Sequence, residues 1–271
     1  MLTLDIAIST YRPEGIERVA LMVLPPIVGV NYVVSWQEHG NAPIPQALQR
    51  SDVAIYRFDH KGQSFNRNNS LARCKGDIIV VADDDLVLYA DKLEKVRKYY
   101  EDNPEADFVT FRAEWGNHTK LYPKYETRLT LPLPKYYYVS CIEITLRRRT
   151  AGSLRFHPLF GLGSPKLQGG EDELLLLVAI KRGLDCRFVP IDICKHDHPS
   201  TGIKGAYTPG NLRAQGAVIT LYWPKTAVLR VPLKAWRVAR AGKASLLMAL
   251  AYTASGAIMG CAIYWRTRRY F

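Results

Sequence analysis

The chain reads as an α/β protein, a mostly parallel sheet flanked by helices, followed by a basic and apolar C-terminal helical tail. Three observations predict this. Short β-rich runs alternate with helical patterns through residue 110, as parallel strands alternate with crossover helices. One run, Asp77–Ala82, is apolar from its second residue onward, as in a strand covered on both faces. Charge then divides sharply: residues 1–197 hold 26 Lys+Arg and all 25 acids, whereas 198–271 hold 11 Lys+Arg and no acid. The net +12 thus belongs almost wholly to the tail, so the tail is the part that calls for an anionic partner.

The elements follow in order. Leu2–Thr10 is short and alternating, a first strand entering a core. Arg12-Pro13-Glu14-Gly15 makes a turn. Val19, Ala20 and Met22–Leu24 then carry a helix until Pro25-Pro26 stops it. Val30–Trp36 and Val53–Phe58 are the second and third strands, and Phe65–Arg73 is a helix leading into Gly76. After the buried strand come a helix at Ala90–Tyr100 and a strand at Asp107–Arg112. Leu121–Arg149 is rich in Pro and Tyr and has no clear period. Glu171–Arg182 is an apolar helix ending near Gly183, and Arg187–Ile193 is a last strand.

In the tail, Lys225–Lys243 carries Lys234, Arg237 and Arg240 at helical spacing, with Pro232 at the expected helix start. Ala244–Trp265 has 22 residues and no charge, about 33 Å as a helix and long enough to cross hydrocarbon. Basic residues flank both of its ends, which disfavours a crossing. The expectation is a tail on an anionic membrane surface, with a single C-terminal span and a soluble helix packed on the catalytic body as the alternatives. The chain opens directly into a strand, without a basic region and long apolar core. The body is therefore expected in the cytoplasm, peripheral at the inner face of the plasma membrane.

Composition narrows the classes. At 271 residues, 48% hydrophobic and 23% charged, the chain can bury a core, which excludes disordered, collagen-like and small disulfide-stapled proteins. Five cysteines without a CxxC pair argue against a zinc ribbon and for reduced thiols.

Four segments carry chemistry. Val80-Val81-Ala82-Asp83-Asp84-Asp85 places three acids at the end of the buried strand, where ligands bind in open α/β sheets. Adjacent carboxylates repel unless a cation or donors hold them. Asp83 and Asp85 can face one site, and their hard oxygens suit Mg²⁺ or Mn²⁺. The plain alternative is an acidic turn capping a helix. Gly169-Gly170-Glu171-Asp172-Glu173 opens the apolar helix. Acids there complement the helix dipole, and one of them can serve as a general base. Gly62-Gln63-Ser64-Phe65-Asn66-Arg67-Asn68-Asn69 offers an arginine and amides to a diphosphate or ribose, or is an ordinary polar loop. His196-Asp197-His198-Pro199-Ser200-Thr201-Gly202 offers imidazoles to a metal, His198 ahead of His196, with Ser200 and Thr201 able to touch phosphate oxygens. A surface turn is the alternative there.

Taken in order, Arg67-Asn68, Gly76-Asp77, Ile78–Ala82 and Asp83-Asp84-Asp85 resemble the nucleotide-sugar half of the family 2 glycosyltransferases. The opening Ile6–Arg12 is similar to that family's first strand and nucleotide-contacting turn. Phe160-Gly161-Leu162-Gly163 followed by Gly170-Glu171-Asp172 is similar to its acceptor side. The resemblance covers residues 3–205. It implies a GT-A (Rossmann-like) domain over 1–205, its nucleotide-sugar half at 1–110 and its acceptor half at 111–205, with 206–271 left as a membrane-associating tail.

The roles it implies are these. Thr10, Tyr11 and Arg12 border the base, Arg67 and Asn68 lie near the diphosphate or sugar, and Asp83 and Asp84 line the nucleotide. Asp85, with Asp83 and His198, ligates the metal. Asp172 is the catalytic base, with Glu171 beside it. Many members carry an acidic pair after the second strand. Here Val34-Ser35-Trp36-Gln37-Glu38-His39 stands in that place, where Gln37 can bond a pyrimidine edge.

The resemblance thus implies a metal-dependent, inverting transfer from a UDP-sugar to a glycan or polyprenyl-linked acceptor in bacterial surface-polysaccharide synthesis, with no nucleic-acid partner. The competing reading is a non-catalytic membrane or nucleic-acid binding module that works through its basic tail. A nucleotidyltransferase would need a glycine-rich basic loop, and Ser9–Gly15 supplies only Arg12 and Gly15.

Overall fold

The computed structural model describes residues 1–116, 120–135, 137–197 and 205–267. It forms two compact units. One comprises Met1–Lys61, Phe65–Arg155 and Gly183–His198; the other comprises Gly62–Ser64, Phe156–Arg182 and Pro199–Phe271. The division crosses the boundary expected at residue 205, because Phe156–Arg182 groups with the tail.

The first unit holds the sheet. Its strands are Leu4–Tyr11 (β1), Val30–Gln37 (β2), Val53–Phe58 (β3), Ile78–Asp83 (β4), Val87–Leu88 (β5), Phe108–Trp115 (β6), Thr127–Arg128 (β7), Ile144–Arg147 (β8) and Cys186–His196 (β9). The order is β3-β2-β1-β4-β8-β6-β9-β5, with β7 also on β9. β1 pairs in parallel with β2 and β4, β2 with β3, and β6 with β9. β8 runs antiparallel between β4 and β6, and β5 and β7 are antiparallel to β9.

β1 is the switch point. The chain leaves it on one side for β2 and β3 and on the other for β4, which opens a crevice at the strands' carboxyl ends. Leu4, Ile6, Ile8 and Ile78–Ala82 are buried, and Trp36 is fully so; the all-apolar run is therefore a central strand. β8 lies inside the aperiodic segment. It is short and buried at all four positions, so no alternation marks it.

Three main helices serve this sheet: Arg12–Met22 (α1), Gln63–Arg73 (α2), whose first two residues group with the second unit, and Ala90–Asp102 (α3). A single turn, Arg148–Ala151 (α4), follows β8. Pro13 and Glu14 in the first turn of α1 are ordinary helix-start residues.

The second unit is helical: Glu171–Lys181 (α5), Pro209–Tyr222 (α6), Ala227–Arg240 (α7) and Leu246–Thr267 (α8). Pro232 stands inside α7, five residues past its first residue, and not at the helix start expected from the sequence. Small residues bring α6 and α8 together. A Cβ on Gly256 would strike the Arg213 carbonyl, and one on Gly216 the Thr253 carbonyl.

Candidate active site

Register puts Tyr11 beside Gln37 and Ser9 beside Asp83, so the ends of β2, β1 and β4 lie side by side. Helix α2 is tied to this edge. Asn66 Nδ2 donates to the Thr10 carbonyl at 2.9 Å, and Asn69 Nδ2 donates to Ser35 Oγ at 2.7 Å. Those bonds aim Arg67, itself 2% exposed, at the end of β4. Its Nη2 donates to Asp83 Oδ1 at 3.0 Å and lies 2.8 Å from Cys141 Sγ, while the Cys141 thiol donates to Asp83 Oδ2 at 3.3 Å. Asn68, next on the helix, is half-buried.

The three aspartates have three different environments. Asp83 is the partner of Arg67. Asp84 is buried and ties β4 to α1: Arg18 donates through Nε at 3.2 Å and Nη2 at 2.9 Å, and Thr10 donates through Oγ1. Burial pushes the Asp84 carboxyl above its usual range, against the pull of Arg18 and Thr10. Gly15 is required beside this pair, since a Cβ there would collide with Thr10 Oγ1 and reach 2.9 Å from Asp84 Oδ2. Asp85 is partly exposed, and His196 Nε2 stands 3.4 Å from its Oδ1. The His196 ring lies against Trp115, with centroids 5.5 Å apart. His198, Ser200 and Thr201 lie outside the described residues.

At the rim, Tyr11 is half exposed, and the Arg12 guanidinium lies 5.2 Å from its ring centroid. Arg12 has φ +64° and Glu38 φ +47°, a region residues with side chains seldom occupy. Their side chains meet at 3.5 Å, and Lys61 reaches Glu38 at 3.2 Å, so both cations hold the Glu38 carboxyl below its usual range. Gln37 is buried, and its amide donates to the His60 carbonyl.

In the second unit, α5 begins after Gly169 (φ +155°) and Gly170 (φ +81°). Glu171 is buried, and Asp172 and Glu173 are half-buried in the first turn, where the helix dipole favours negative charge. A side chain at Gly161 would be strained by its φ of +97° and tightly placed, with a Cβ 3.1 Å from Ser64 Oγ and 3.3 Å from the Glu171 carboxyl carbon. Ser64 Oγ donates to the Phe160 carbonyl at 2.7 Å.

The structure adds two residues that sequence reasoning missed. Arg18 lies in α1, one turn beyond Arg12–Gly15, which reads as a turn in the sequence and is the first turn of that helix. Cys141 precedes β8, and its position beside β4 follows from the strand order, which no spacing discloses. The chemistry of the donor set can be tested directly. Asp85 and His196 offer one oxygen and one nitrogen on the same edge. Among the described residues no group of three or more acids, histidines or cysteines closes a cage. Such an open pair fits Mg²⁺ or Mn²⁺, which characteristically take further ligands from substrate phosphates and water.

Residues 41–160 match the family model described as Glycosyl transferase family 2. No match was found among curated proteins. Among solved structures, S. aureus TarS 1–349 in complex with UDP-GlcNAc aligns at TM-score 0.60 and 13% identity, over 99% of this chain and 92% of that one. The same protein in complex with UDP gives 0.59 and 14%, over 94% and 91%. A mycobacterial protein gives 0.54 and 15%, over 82% and 74%. The matched segment carries β3, α2, β4 with its three aspartates, and β8 with the turn before it; over these residues the chain is similar to the family 2 glycosyltransferases, and its sheet architecture is that of the GT-A fold.

Proposed function

We propose that the protein is a glycosyltransferase that moves a sugar from a UDP-sugar to a hydroxyl of a glycan or lipid-linked glycan, with inversion, in surface-polysaccharide synthesis. The observation that carries the reading is the pairing of buried Arg67 with Asp83 at the carboxyl end of β4, beside the end of β1. The capture of UDP and UDP-GlcNAc by TarS on a similar fold supports uridine as the base. The binding-module alternative treats the acids as helix caps. Against it stands the pairing of Asp83 and Asp84 with arginines at the strand ends, where neither serves as a helix cap.

In this reading Tyr11, Arg12 and Gln37 border the base, Thr10 and Asp84 fix the strand ends beneath it, and Arg67 and Asn68 serve the diphosphate side. Asp85 would hold the cation with His196. Asp83 and His198 are the further ligands proposed on sequence grounds. A bound Mg²⁺ or Mn²⁺ offsets charge on the departing nucleoside diphosphate. Asp172 takes the proton from the acceptor hydroxyl, with Glu171 beside it on the same turn. The acceptor oxygen bonds to the anomeric carbon as the carbon–phosphate-oxygen bond breaks, and its electron pair leaves with UDP. One displacement inverts the configuration. A polyprenyl-linked acceptor would place the enzyme at the cytoplasmic face of the plasma membrane, with the tail on anionic lipid.

Calorimetric titration of UDP with Mn²⁺, then with chelator, tests the donor. Binding that needs the metal and is lost in Asp85→Asn is the expected outcome. Absence of UDP binding in both conditions overturns uridine as the base, and GDP and CDP are then titrated.

A further inference from the structure

The second unit presents an uncovered apolar surface whose form is decided by α7 and α8. On α7, Ala227, Val231, Ala235 and Val238 are buried, and Leu212, Ala235, Val238 and Ala249 form one cluster. The opposite face is apolar too: Val228 is 77% exposed, Leu229 72%, Leu233 43% and Trp236 47%. Arg230 and Arg237 stand exposed along one flank of that strip, and exposed Arg240 follows at its C-terminal end. Arg230 and Arg240 lie 4.6 and 5.1 Å from the ring centroids of Trp223 and Trp236. A helix with one face buried, the opposite face apolar and cations between them is amphipathic toward two different surroundings.

Helix α8 repeats the division. Ala249, Thr253, Gly256, Gly260 and Ile263 form a buried stripe, while Leu247, Ala251, Ala254, Ile258 and Trp265 form an exposed one. The buried stripe runs along α6, with Gly256 against Arg213 and Gly260 against Ala217, and Lys181 of α5 lies 5.6 Å from the Tyr264 ring centroid. The helix is long and apolar enough to cross a membrane. Crossing would carry along α6, whose Asn211 and Gln215 hydrogen-bond to Gln168, Ala206 and one another and whose Arg213 lies 4.6 Å from the Tyr252 ring centroid. Polar groups of that kind are costly in hydrocarbon.

We infer that α7 and the outer stripe of α8 form an interfacial docking surface for an anionic phospholipid leaflet, on which the second unit rides without crossing it. The occupant is chosen by charge: residues 198–271 carry 11 basic residues and no acid, so the apolar strip is rimmed by one sign. The inference deepens, and rests on, the membrane-bound acceptor proposed above. Measuring vesicle binding without donor or acceptor separates its failure from failure of that reading.

The experiment uses the full chain with phosphatidylcholine vesicles, with and without about one-third phosphatidylglycerol, read by co-sedimentation and tryptophan emission. Binding confined to the anionic vesicles, a blue shift that shrinks in Trp236→Phe, and release from cell membranes by alkaline carbonate are expected. Arg230→Glu/Arg237→Glu/Arg240→Glu should keep the melting temperature and UDP affinity and lose at least about 100-fold in vesicle affinity. Leu229→Ser/Leu233→Ser should lose about tenfold and reduce the shift. Equal binding to neutral vesicles, or unchanged binding by the charge-reversed protein, overturns the role given to the arginines. Resistance to carbonate overturns the surface geometry in favour of a span. Absence of vesicle binding together with a dimeric mass in light scattering assigns the face to a second copy.

Discussion

Cys141 joins the charged pair at the end of β4, its thiol donating to Asp83 while its sulfur lies against Arg67. A serine can make both interactions with a shorter reach; an alanine can make neither. Cys141→Ala is therefore expected to raise the donor KM about fivefold with kcat within about twofold, the size of one weak hydrogen bond to charged groups, whereas Cys141→Ser stays within about twofold of wild type. Equal KM values in all three proteins would reduce the thiol to filling space. The adjacent acids separate in the same way. Gly15→Ala pushes a methyl into Thr10 and Asp84, an overpacking that costs about 1–3 kcal/mol, so the melting temperature and UDP affinity should fall together. Asp85→Asn removes a partly exposed charge at nearly constant size and shape, so metal-dependent UDP binding should be lost with little change in melting temperature. If Asp85→Asn melts as early as Gly15→Ala, Asp85 is structural and the cation site lies elsewhere.

At the scale of elements, a close helix crossing offers the clearest test. Gly216 and Gly256 let α6 and α8 approach until backbone meets backbone. Gly256→Ala puts its methyl against a carbonyl that cannot turn aside. It should destabilise by about 1–3 kcal/mol, whereas Ala254→Leu on the exposed stripe of the same helix should leave thermal melting unchanged. Equal losses would mean that the outer stripe is covered as well. The short β-rich runs that placed β1 to β4 were legible in the sequence, β4 most clearly, because a parallel strand buried on both faces leaves a continuous apolar run. β8 and the turn before it were not legible. Four fully buried residues have no period, and the turn is held by Lys120 and Glu143, buried 2.6 Å apart among residues that sequence shows only as a Pro- and Tyr-rich stretch. Removing Lys120 as Lys120→Met leaves that carboxylate without its counter-charge, an expected loss of about 3–5 kcal/mol measured by denaturant unfolding. The three aspartates were legible as a group. Their division into an arginine partner, a strand tie and a histidine neighbour required the helices that reach them.

For the whole molecule the decisive property is where its charge lies. Residues 1–197 balance to +1 and the remainder carries the other +11, so salt should act on the enzyme's location far more than on its chemistry. Exposed charges facing a lipid surface are screened over a Debye length of about 10 Å at 0.1 M salt and about 3 Å at 1 M. The Arg67–Asp83 pair, with Arg67 2% exposed and the Asp83 side chain 31%, is screened much less than the tail's exposed cations. Raising salt from about 0.05 to 0.5 M should therefore lower the rate of transfer to a vesicle-borne acceptor at least tenfold, while UDP affinity measured without vesicles changes by less than about threefold. The same titration with a water-soluble acceptor should show a flat rate, since no surface has to be reached. A parallel fall with both acceptors would place the salt-sensitive step in the donor site and remove the surface from the catalytic cycle. A fall confined to the vesicle-borne acceptor ties the basic tail to delivering the enzyme to its acceptor, the one task in this reaction for which a cluster of cations without a single acid is suited.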